Sequence, residues 1–538
     1  MSPQRIGSVA SFTATILLAG LPISTAYAQL QVADDLLINL EASTYVNNTA
    51  WLSTGTIAEP FTPFNTPLKV EVSGATGVFF DGADYFVGPN TIGTLHDFNA
   101  NYSIETWVYN GNTRPEESLV AWSSRGGPDG TNVSFNYGND SRWGAMGHWG
   151  NPDMGWGPAD GTDNSLTPSL GLWHHLVYTY DGLGTQRVYV DGQLTNTETG
   201  VTLDPKDALP IQLGAQREGN GVVSTGNTFS GVISKVRVHS GTLTDAQILN
   251  NFDFEKAQFP NVTQPQQLVK APVNRYTFND LTTANDLTVV PDVIGGKNAP
   301  IRGPGATLSS NADGEGVQLP GGNQEQAYID LPNGIISGKA DGGLGYQSAS
   351  YEAWVTVLGN SHWSRVMDFG ASNEVEVTGP GGATNGTNFI FLSANVNSDS
   401  NMAIERGGTG STGSGQRQAP GSTILNTEMH LVLSYDASMQ EWRWFQDGKL
   451  MEAFSSAGSP LTLNDVNNWL GRSNFGGDGN MNGIFNEFRI YDYALNQKEI
   501  AGNFLLGPDV VNVVPEPSSA LLLAGAVTLL GARRRRRF

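Results

Sequence analysis

The sequence predicts an all-β protein made of two tandem β-sandwiches, each ending in a short helix. Two observations support this fold class. The 538 residues include 66 glycines and 39% hydrophobic residues, a composition that favours turn-rich sandwiches over helix bundles. Shifting the chain against itself by about 250 residues brings four sequence blocks into register, in the same order, as expected for a duplicated domain. The chain is long enough to build two sizeable hydrophobic cores.

The first repeated block is a strand found at residues 102–109 and again at 351–357. In each copy a glutamate, Glu105 or Glu352, lies two positions before a tryptophan. Residues two apart on a strand share one face of the sheet, so each glutamate and tryptophan are expected to be neighbours. We expect these glutamates to brace the sheets through hydrogen bonds.

The second block reads as a hairpin at residues 173–192 and again at 429–448. Each copy has two alternating strands joined by a short turn, and Asp-Gly ends the second strand. The third block is a short strand that ends in Leu-Gly, at 209–214 and at 468–471.

The fourth block predicts a last strand followed by a helix, at residues 229–248 and 481–500. Thr244 and Asn496 occupy N-cap positions, and a glutamine or glutamate follows each of them three residues later. This spacing is typical of a capping box, in which the two side chains satisfy main-chain N–H groups at the helix start.

The repeat places domain 1 at residues 29–256 and domain 2 at residues 273–507. Residues 257–272 are predicted to be a linker, because Phe259–Pro272 contains three prolines, three glutamines and no apolar period. Residues 508–513 form a short spacer.

These blocks resemble the laminin G-like, concanavalin A-like lectin/glucanase superfamily. The resemblance rests on the Glu-x-Trp-Val strands, on the sequence WHHLVYTYDG at 173–182 and on VYVDG at 188–192. It covers nearly all of the chain outside the two ends. The resemblance implies that both domains are jelly-roll sandwiches of two antiparallel sheets, with loops gathered around a concave face.

The N-terminus is predicted to be a secretory signal peptide at residues 1–28. Arg5 precedes an apolar run at residues 12–23, which ends in the small-x-small sequence Ala26-Tyr27-Ala28. The run is too short for a spanning helix, so we expect cleavage between Ala28 and Gln29.

The C-terminal segment 514–538 combines Val-Pro-Glu-Pro, an apolar run at 518–532 and five consecutive arginines. This combination resembles the PEP-CTERM sorting signal of Gram-negative bacteria, which implies recognition by an exosortase and export to the cell surface or extracellular matrix. At 1.5 Å per helical residue the run spans roughly 22 Å, so it is marginal as a permanent anchor and predicts transient association with the inner membrane. The alternative is an ordinary C-terminal anchor with the arginines in the cytoplasm. The residues that carry the signal are Pro515, Glu516, Pro517, Arg533, Arg534, Arg535, Arg536 and Arg537.

Charge and cysteine content exclude several classes of function. Removing Arg5 and the arginine tail leaves 23 basic residues against 51 acidic ones, a net charge of about −28. Nucleic acid and anionic lipid are therefore poor partners. The chain has no cysteine, which excludes disulfides, thiol catalysis and thiolate metal sites.

No catalytic motif is present, so we predict that the protein is not an enzyme. Glucanases of the superfamily carry Glu-x-Asp-x-x-Glu or a close variant, and the chain has no match. Glu374 and Glu376 share one face of a predicted strand, but no third carboxylate follows them. They are expected to be solvated.

The best candidate for a carbohydrate site is the glycine-rich segment 142–164. Tryptophan rings can stack on sugars, while carboxylates accept hydrogen bonds from hydroxyl groups. Domain 2 has no tryptophan in the corresponding stretch. The alternative is that these tryptophans seal a long loop onto the sandwich as a minor core. The candidate residues are Trp143, His148, Trp149, Asp153, Trp156 and Asp160.

Calcium is a candidate cofactor, because laminin G-like relatives often use it and oxygen ligands are frequent in the loops. Asp129, Asn132, Asn139 and Asp140 form one loop cluster. The alternative is turn chemistry, in which Asp-Gly and Asn-Gly supply a positive φ.

The sequence therefore predicts an exported, non-catalytic carbohydrate-binding or adhesion protein of the cell surface or matrix. A polysaccharide-active enzyme, or an accessory module of one, is the first alternative. A purely structural adhesion or assembly protein is the second. The expected partners are the exosortase, the secretion machinery and a glycan or exopolysaccharide.

Overall fold

The computed structural model describes residues 29–90, 92–157, 166–206, 209–261, 266–311, 314–397, 399–408 and 416–513. The predicted signal peptide, Asp160 and the sorting signal lie outside these residues. Among the described residues, no helix has the length and apolar content needed to cross a membrane.

Domain 1 is a sandwich of two antiparallel sheets. Sheet I has the strand order β13-β12-β11-β7-β15-β5-β4, with β1 also paired to β15, and sheet II has the order β10-β9-β8-β14-β6-β3-β2. The elements are β1 Leu36–Glu41, β2 Trp51–Leu52, β3 Pro60–Phe64, β4 Leu68–Val72, β5 Ala75–Asp81, β6 Tyr85–Val87, β7 Tyr102–Tyr109, β8 Ser118–Ser123, β9 Asn132–Asn136, β10 Met146–Gly147, β11 Trp173–Tyr180, β12 Thr185–Val190, β13 Gln193–Thr199, β14 Gln212–Leu213, β15 Ser230–His239 and helix α1 Asp245–Glu255.

Domain 2 repeats this architecture. Sheet III has the order β19-β20-β31-β22-β27-β28-β29, with β16 beside β31, and sheet IV has the order β17-β18-β21-β30-β23-β24-β25-β26. The elements are β16 Asn274–Thr277, β17 Val289–Val290, β18 Ala299–Arg302, β19 Thr307–Asn311, β20 Gly314–Gly322, β21 Tyr328–Leu331, β22 Ala349–Gly359, β23 Arg365–Ser372, β24 Gly386–Ser393, β25 Met402–Arg406, β26 Arg417–Ala419, β27 Glu428–Asp436, β28 Glu441–Gln446, β29 Lys449–Ser455, β30 Asn467–Leu470, β31 Asn480–Tyr491 and helix α2 Gln497–Leu506.

Each sandwich has its own hydrophobic core between its two sheets. In domain 1, the rings of Tyr102 on sheet I and Trp122 on sheet II meet edge to face, 5.1 Å apart. In domain 2, Tyr351 and Phe369 make the same kind of contact at 5.3 Å. The two cores lie within the described residues between Leu37 and Ile490, so we expect the sandwiches to fold without the chain's two ends. The predicted all-β fold of two jelly-roll sandwiches is confirmed.

Both predicted capping boxes are present. The hydroxyl of Thr244 accepts from the main-chain N–H of Gln247 at the start of α1. Asn496 accepts from the main-chain N–H groups of Lys498 and Glu499 at the start of α2. The helices therefore begin where the sequence predicts.

A buried network attaches α1 to sheet I. The carboxylate of Glu105 accepts from Arg237 at 2.6 Å and from the side-chain amide of Asn251, on α1, at 2.9 Å. The guanidinium of Arg237 also reaches Glu255, the last residue of α1, at 2.5 Å. Glu105, Arg237 and Glu255 are each at most 2% exposed. The repeated glutamate therefore braces the sheet and holds the terminal helix against it.

The same arrangement recurs in domain 2. Glu352 accepts from His430 at 2.7 Å, from the hydroxyl of Tyr491 at 2.7 Å and from Asn503, on α2, at 2.9 Å. The guanidinium of Arg489 lies 3.4 Å from the same carboxylate. Asn251 and Asn503 thus have the same role in the two copies.

The outward faces of sheets I and III pack against each other through a shared apolar cluster. Polar contacts cross the seam as well. The hydroxyl of Tyr109 accepts from the N–H of Leu450 at 3.1 Å and from the side chain of Gln497 at 3.0 Å. Arg417 forms an ion pair with Asp81 at 2.8 Å. The sandwiches are therefore stacked in the order sheet II, sheet I, sheet III, sheet IV.

The segment at residues 257–272 is packed into this seam along its described part. The ring of Phe259 stacks on Trp107, with centroids 4.0 Å apart. Leu268 is fully buried and forms a parallel β-bridge with Val513 in the predicted spacer. The described residues of this segment are therefore part of the interface between the domains.

Replacing Leu450 by alanine is expected to lower the free energy of unfolding by about 2–3 kcal/mol, because its side chain is buried at the seam. Denaturant unfolding followed by tryptophan fluorescence would measure the loss. Leu505→Ala is the control, since Leu505 is 60% exposed and its loss should cost less than about 0.5 kcal/mol. Equal effects of the two substitutions would contradict the shared interface.

Candidate binding groove

The outward face of sheet II carries small and polar side chains near strands β9 and β10. Val133 and Phe135 point into the core, so the alternation of a strand turns Asn132 and Ser134 to the outer face. Gly147 on β10 pairs with Ser134. Because these side chains are small, the sheet leaves room for a cavity above it.

That cavity has a volume of about 410 Å³. Its floor includes Asn132 and Gly147, and its walls come from the loops before β8, after β8, between β9 and β10, and after β10. The lining residues are Glu116, Arg125, Asn132, Trp143, Gly147, Trp149, Gly150 and Asp153.

A second cavity, of about 910 Å³, shares Trp143, Gly150 and Asp153 with the first. It runs towards β13 and the segment that follows it, where Glu198 and Asp204 contribute carboxylates. We call the two cavities together the domain 1 groove.

Two tryptophans of the groove are accessible. Trp149 is 37% exposed, and its ring N–H donates to the carbonyl oxygen of Gly127 at 3.2 Å. Trp143 is partly exposed, and the Arg142 guanidinium lies 4.0 Å from the centre of its ring. Arg125 lies 5.5 Å from the ring of Trp149. The rings are fixed in place by these contacts and can offer apolar surface to a ligand.

Asp153 and Glu116 are the acidic groups of the smaller cavity. Burial raises the pKa of Asp153 to about 6, although one carboxylate oxygen accepts from the N–H of His148 at 2.6 Å. Burial also raises the pKa of Glu116, which accepts from Gln216 at 2.5 Å. The negative charge of Glu116 also raises the pKa of Asp153 through like-charge repulsion, a smaller effect than burial. Near neutral pH both are able to accept hydrogen bonds.

Two predicted ligand contacts are wrong, because the structure places their side chains in the core. His148 is fully buried, and its ring nitrogens contact the carbonyl oxygen of Asn132 and the hydroxyl of Tyr178, each at 2.9 Å. Trp156 is 1% exposed. Met154 forms a β-bridge with Met146, which folds the loop back and turns Trp156 inward. Of the tryptophans, Trp156 seals the loop, while Trp143 and Trp149 line the groove.

The four candidate calcium ligands have separate partners. Asp129 accepts from the N–H of Asn151 at 3.2 Å, and Asn132 donates to Gln216 at 3.1 Å. Asp140 accepts from the N–H of Arg142 at 2.9 Å, and the N–H of Asn139 bonds to the main chain. In the described part of the chain, no group of three or more His, Asp or Glu side chains could hold a metal ion. Calcium binding therefore stays a prediction.

The matching face of domain 2 is filled with aromatic side chains. The register of β23, β24 and β25 places Phe389 and Phe391 where domain 1 has Asn132 and Ser134, and Glu405 where domain 1 has Gly147. The two phenylalanine rings stack 5.5 Å apart. The guanidinium of Arg365 lies 3.9 Å from the centre of the Phe391 ring. The filled floor explains why the groove lies in domain 1.

Glu374 and Glu376 are exposed and follow the end of β23 at Ser372. Glu374 has φ +63°, a turn conformation, so the segment is not the strand that the sequence suggested. The groove residues that sequence reasoning missed are Glu116, Arg125, Glu198 and Asp204. Each belongs to a different loop or strand end, and no local motif joins them.

Two stacked jelly-roll sandwiches with an aromatic groove on one outer sheet define a lectin-like β-sandwich protein. A profile described as the concanavalin A-like lectin/glucanases superfamily, of the laminin G type, matches residues 80–249 and 323–501. These regions make up more than half of the sequence, so the chain belongs to this superfamily. The PEP-CTERM protein-sorting motif matches residues 513–537, which implies export and sorting to the surface.

Among solved structures, the chain is similar to domain 4 of AbnA, a GH43 extracellular arabinanase from Geobacillus stearothermophilus, in complex with arabinotriose. The identity is 16%, the match covers 41% of this chain and 98% of that one, and the TM-score is 0.32. The CBM40 of a Ruminococcus gnavus IT-sialidase, bound to α2,3 sialyllactose, is 12% identical over 35% of this chain and 94% of that one, with a TM-score of 0.27. A Trypanosoma rangeli sialidase in complex with sialic acid is 14% identical over 85% of this chain and 68% of that one, with a TM-score of 0.30. With TM-scores of this size, none of these likenesses supports a conclusion about the ligand. No curated protein matches the chain.

Proposed function

We propose that this protein is an exported, non-catalytic carbohydrate-binding protein of the cell surface or extracellular matrix, and that the domain 1 groove binds the glycan. An exosortase handles the C-terminal segment during export, while that segment is held in the inner membrane. The observation that carries the proposal is the groove itself, a cavity on an outer sheet face with two accessible tryptophans among polar groups.

The groove has the composition that sugar recognition needs. Trp143 and Trp149 supply flat apolar surface for the C–H faces of a sugar ring. Asp153, Glu116 and Asn132 supply hydrogen-bond acceptors for hydroxyl groups beside that surface. The groove is open and polar, which suits a chain-like hydrophilic ligand.

The enzyme alternative also has an observation in its favour, because Glu116 and Asp153 line one cavity. Glycosidases use two carboxyl groups, one protonated as an acid and one ionised as a base or nucleophile. Such pairs have environments that move their pKa values apart. Here burial moves the pKa of both groups in the same direction, and neither group belongs to a Glu-x-Asp-x-x-Glu motif, so we retain binding as the proposal.

A glycan-array screen of the processed protein, with calcium and with chelator, tests the proposal. We expect binding to at least one glycan class, and Trp149→Ala should weaken it by at least about tenfold, as for a central aromatic contact. If the chelator abolished binding, we would conclude that the site requires calcium.

Trp363→Ala is the matched control. Trp363 lies in domain 2, is partly exposed, has positive φ and has the Arg365 guanidinium 5.4 Å from its ring centre, as Trp149 has Arg125. The Trp363→Ala substitution should leave glycan binding unchanged. No binding under either condition would overturn the proposal and favour a structural adhesion role. Release of reducing sugar from a bound glycan, abolished by Asp153→Asn, would favour the enzyme.

A further inference from the structure

We propose that the domain 1 groove prefers glycans that carry free, protonated amino groups, such as glucosamine polymers, over neutral or acidic glycans. This inference rests on the proposed carbohydrate-binding function and specifies its ligand class. It is argued from the balance of charge in the groove and from one buried acceptor without a partner.

Carboxylates outnumber cations along the groove. Its two arginines already have acidic partners. Arg125 lies 3.8 Å from Glu116 and 3.9 Å from Glu218, and Arg142 lies 3.6 Å from Asp140. Lys206 lies nearby, but its ammonium group donates to the main-chain carbonyl oxygens of residues 124–126.

Four other carboxylates line the groove. Asp129, Asp153, Glu198 and Asp204 form no ion pair with any described residue, and all four line the larger cavity. Among the described residues, the Glu198 carboxylate accepts from the side-chain amide of Gln186 at 2.8 Å. The groove therefore presents net negative charge to a ligand.

The second observation is the side chain of Asn132 on the cavity floor. Asn132 is 2% exposed, and its amide group donates to the carbonyl oxygen of Gly147 and to Gln216. Its side-chain oxygen has no hydrogen-bond partner among the described residues. Because an unpaired buried acceptor costs free energy, a ligand that brings a donor to this oxygen gains affinity.

The hydrogen bonds on the cavity floor use up amide donors and leave an amide oxygen unpaired. The Asn132 amide donates to Gly147 and Gln216, and the Gln216 amide donates to Glu116, so both donor hydrogens of Asn132 and one of Gln216 are used within the protein. The side-chain oxygen of Asn132 is left for the ligand, and the carboxylate of Asp153, one oxygen of which accepts from His148, lines the same cavity. An ammonium group offers three donors and no acceptor, which matches such a cavity, whereas the carboxylate of a uronic acid offers only acceptors.

Four oligosaccharides of equal length separate the ligand classes. Isothermal titration at neutral pH would compare a glucosamine pentamer, the N-acetylglucosamine pentamer, cellopentaose and a uronic acid pentamer. We expect the glucosamine pentamer to bind about tenfold more tightly than the acetylated one, the uronate to bind most weakly, and the preference to shrink at high salt.

Asp153→Asn should lower the affinity for the glucosamine pentamer about three- to tenfold. It should change the affinity for the acetylated pentamer less than about twofold. The substitution keeps the oxygen that accepts from His148. Glu376→Gln, at an exposed site in domain 2, makes the same change in net charge and should have no effect.

Two results would overturn the inference and leave carbohydrate binding in place. One is equal affinity for the glucosamine, acetylated and cellulose pentamers. The other is an equal loss in Glu376→Gln and Asp153→Asn, which would indicate general attraction to an acidic protein. The absence of binding to every sugar here and on the array would overturn both the inference and the proposed function.

Discussion

Replacing Glu352 by alanine is expected to lower the free energy of unfolding by about 3–5 kcal/mol, because it removes one partner of a buried ion pair. Arg489, which is fully buried, would keep its ion pair with Glu487 but lose that with Glu352, and His430, Tyr491 and Asn503 would lose their shared acceptor. Denaturant unfolding of the wild type and variant would measure the change. Glu376→Ala, at an exposed carboxylate, should cost less than about 0.5 kcal/mol.

The contribution of the Glu352 carboxylate to the free energy of unfolding is expected to depend on pH. Burial alone would raise the pKa of Glu352, but the hydrogen bond from His430 and the charge of Arg489 outweigh it and lower the pKa from 4.5 to about 2. Ionised Glu352 therefore stabilises the fold above about pH 4.5, and this contribution is lost as the pH falls through about 2. The stability of Glu352→Gln should depend less on pH in this window. An equally steep loss in the variant would show that other groups control acid unfolding.

Replacing Trp156 by alanine is expected to cost about 3–5 kcal/mol, as for other buried aromatic residues. Its ring is 1% exposed and lies 6.0 Å from that of Phe135, inside the core of domain 1. Thermal and denaturant unfolding would measure the loss.

Trp149→Ala is the comparison for Trp156→Ala, because Trp149 lies in the groove and not in the core. Its ring is 37% exposed, so the substitution should change stability by less than about 1 kcal/mol while it weakens glycan binding. Equal stability losses at the two tryptophans would contradict the assignment of one to the core and the other to the groove.

The fold could be predicted from the sequence because its signals are local or repeated. The strands with Glu105 and Glu352 recur in order along the chain, and both capping boxes depend on residues three positions apart. Such local patterns predict strands and helix starts from backbone geometry alone. The packed linker could not be predicted in this way, because the burial of Phe259 depends on Trp107, which is distant in sequence.

The groove was only partly predictable for the same reason. Segment 142–164 has the composition of a binding loop, but composition does not show which tryptophan turns inward. The β-bridge between Met146 and Met154 decides that for Trp156. A sequence signal for the floor does exist, since β9 has asparagine and serine where β24 has Phe389 and Phe391. Reading that signal required the register of the strands, which only the structure supplies.

The bridge between Leu268 and Val513 determines how the protein would respond to a mechanical load. Val513 packs on the apolar cluster shared by the two domains, and it is the first residue of the matched sorting motif. A force that pulls on the C-terminus would therefore enter at the seam, where it is divided between both sandwiches. Two domains joined in series would instead pass the whole load from one to the next. Sheets I and II lie between that point of attachment and the outer face that bears the groove, so the groove would face away from whatever holds the tail.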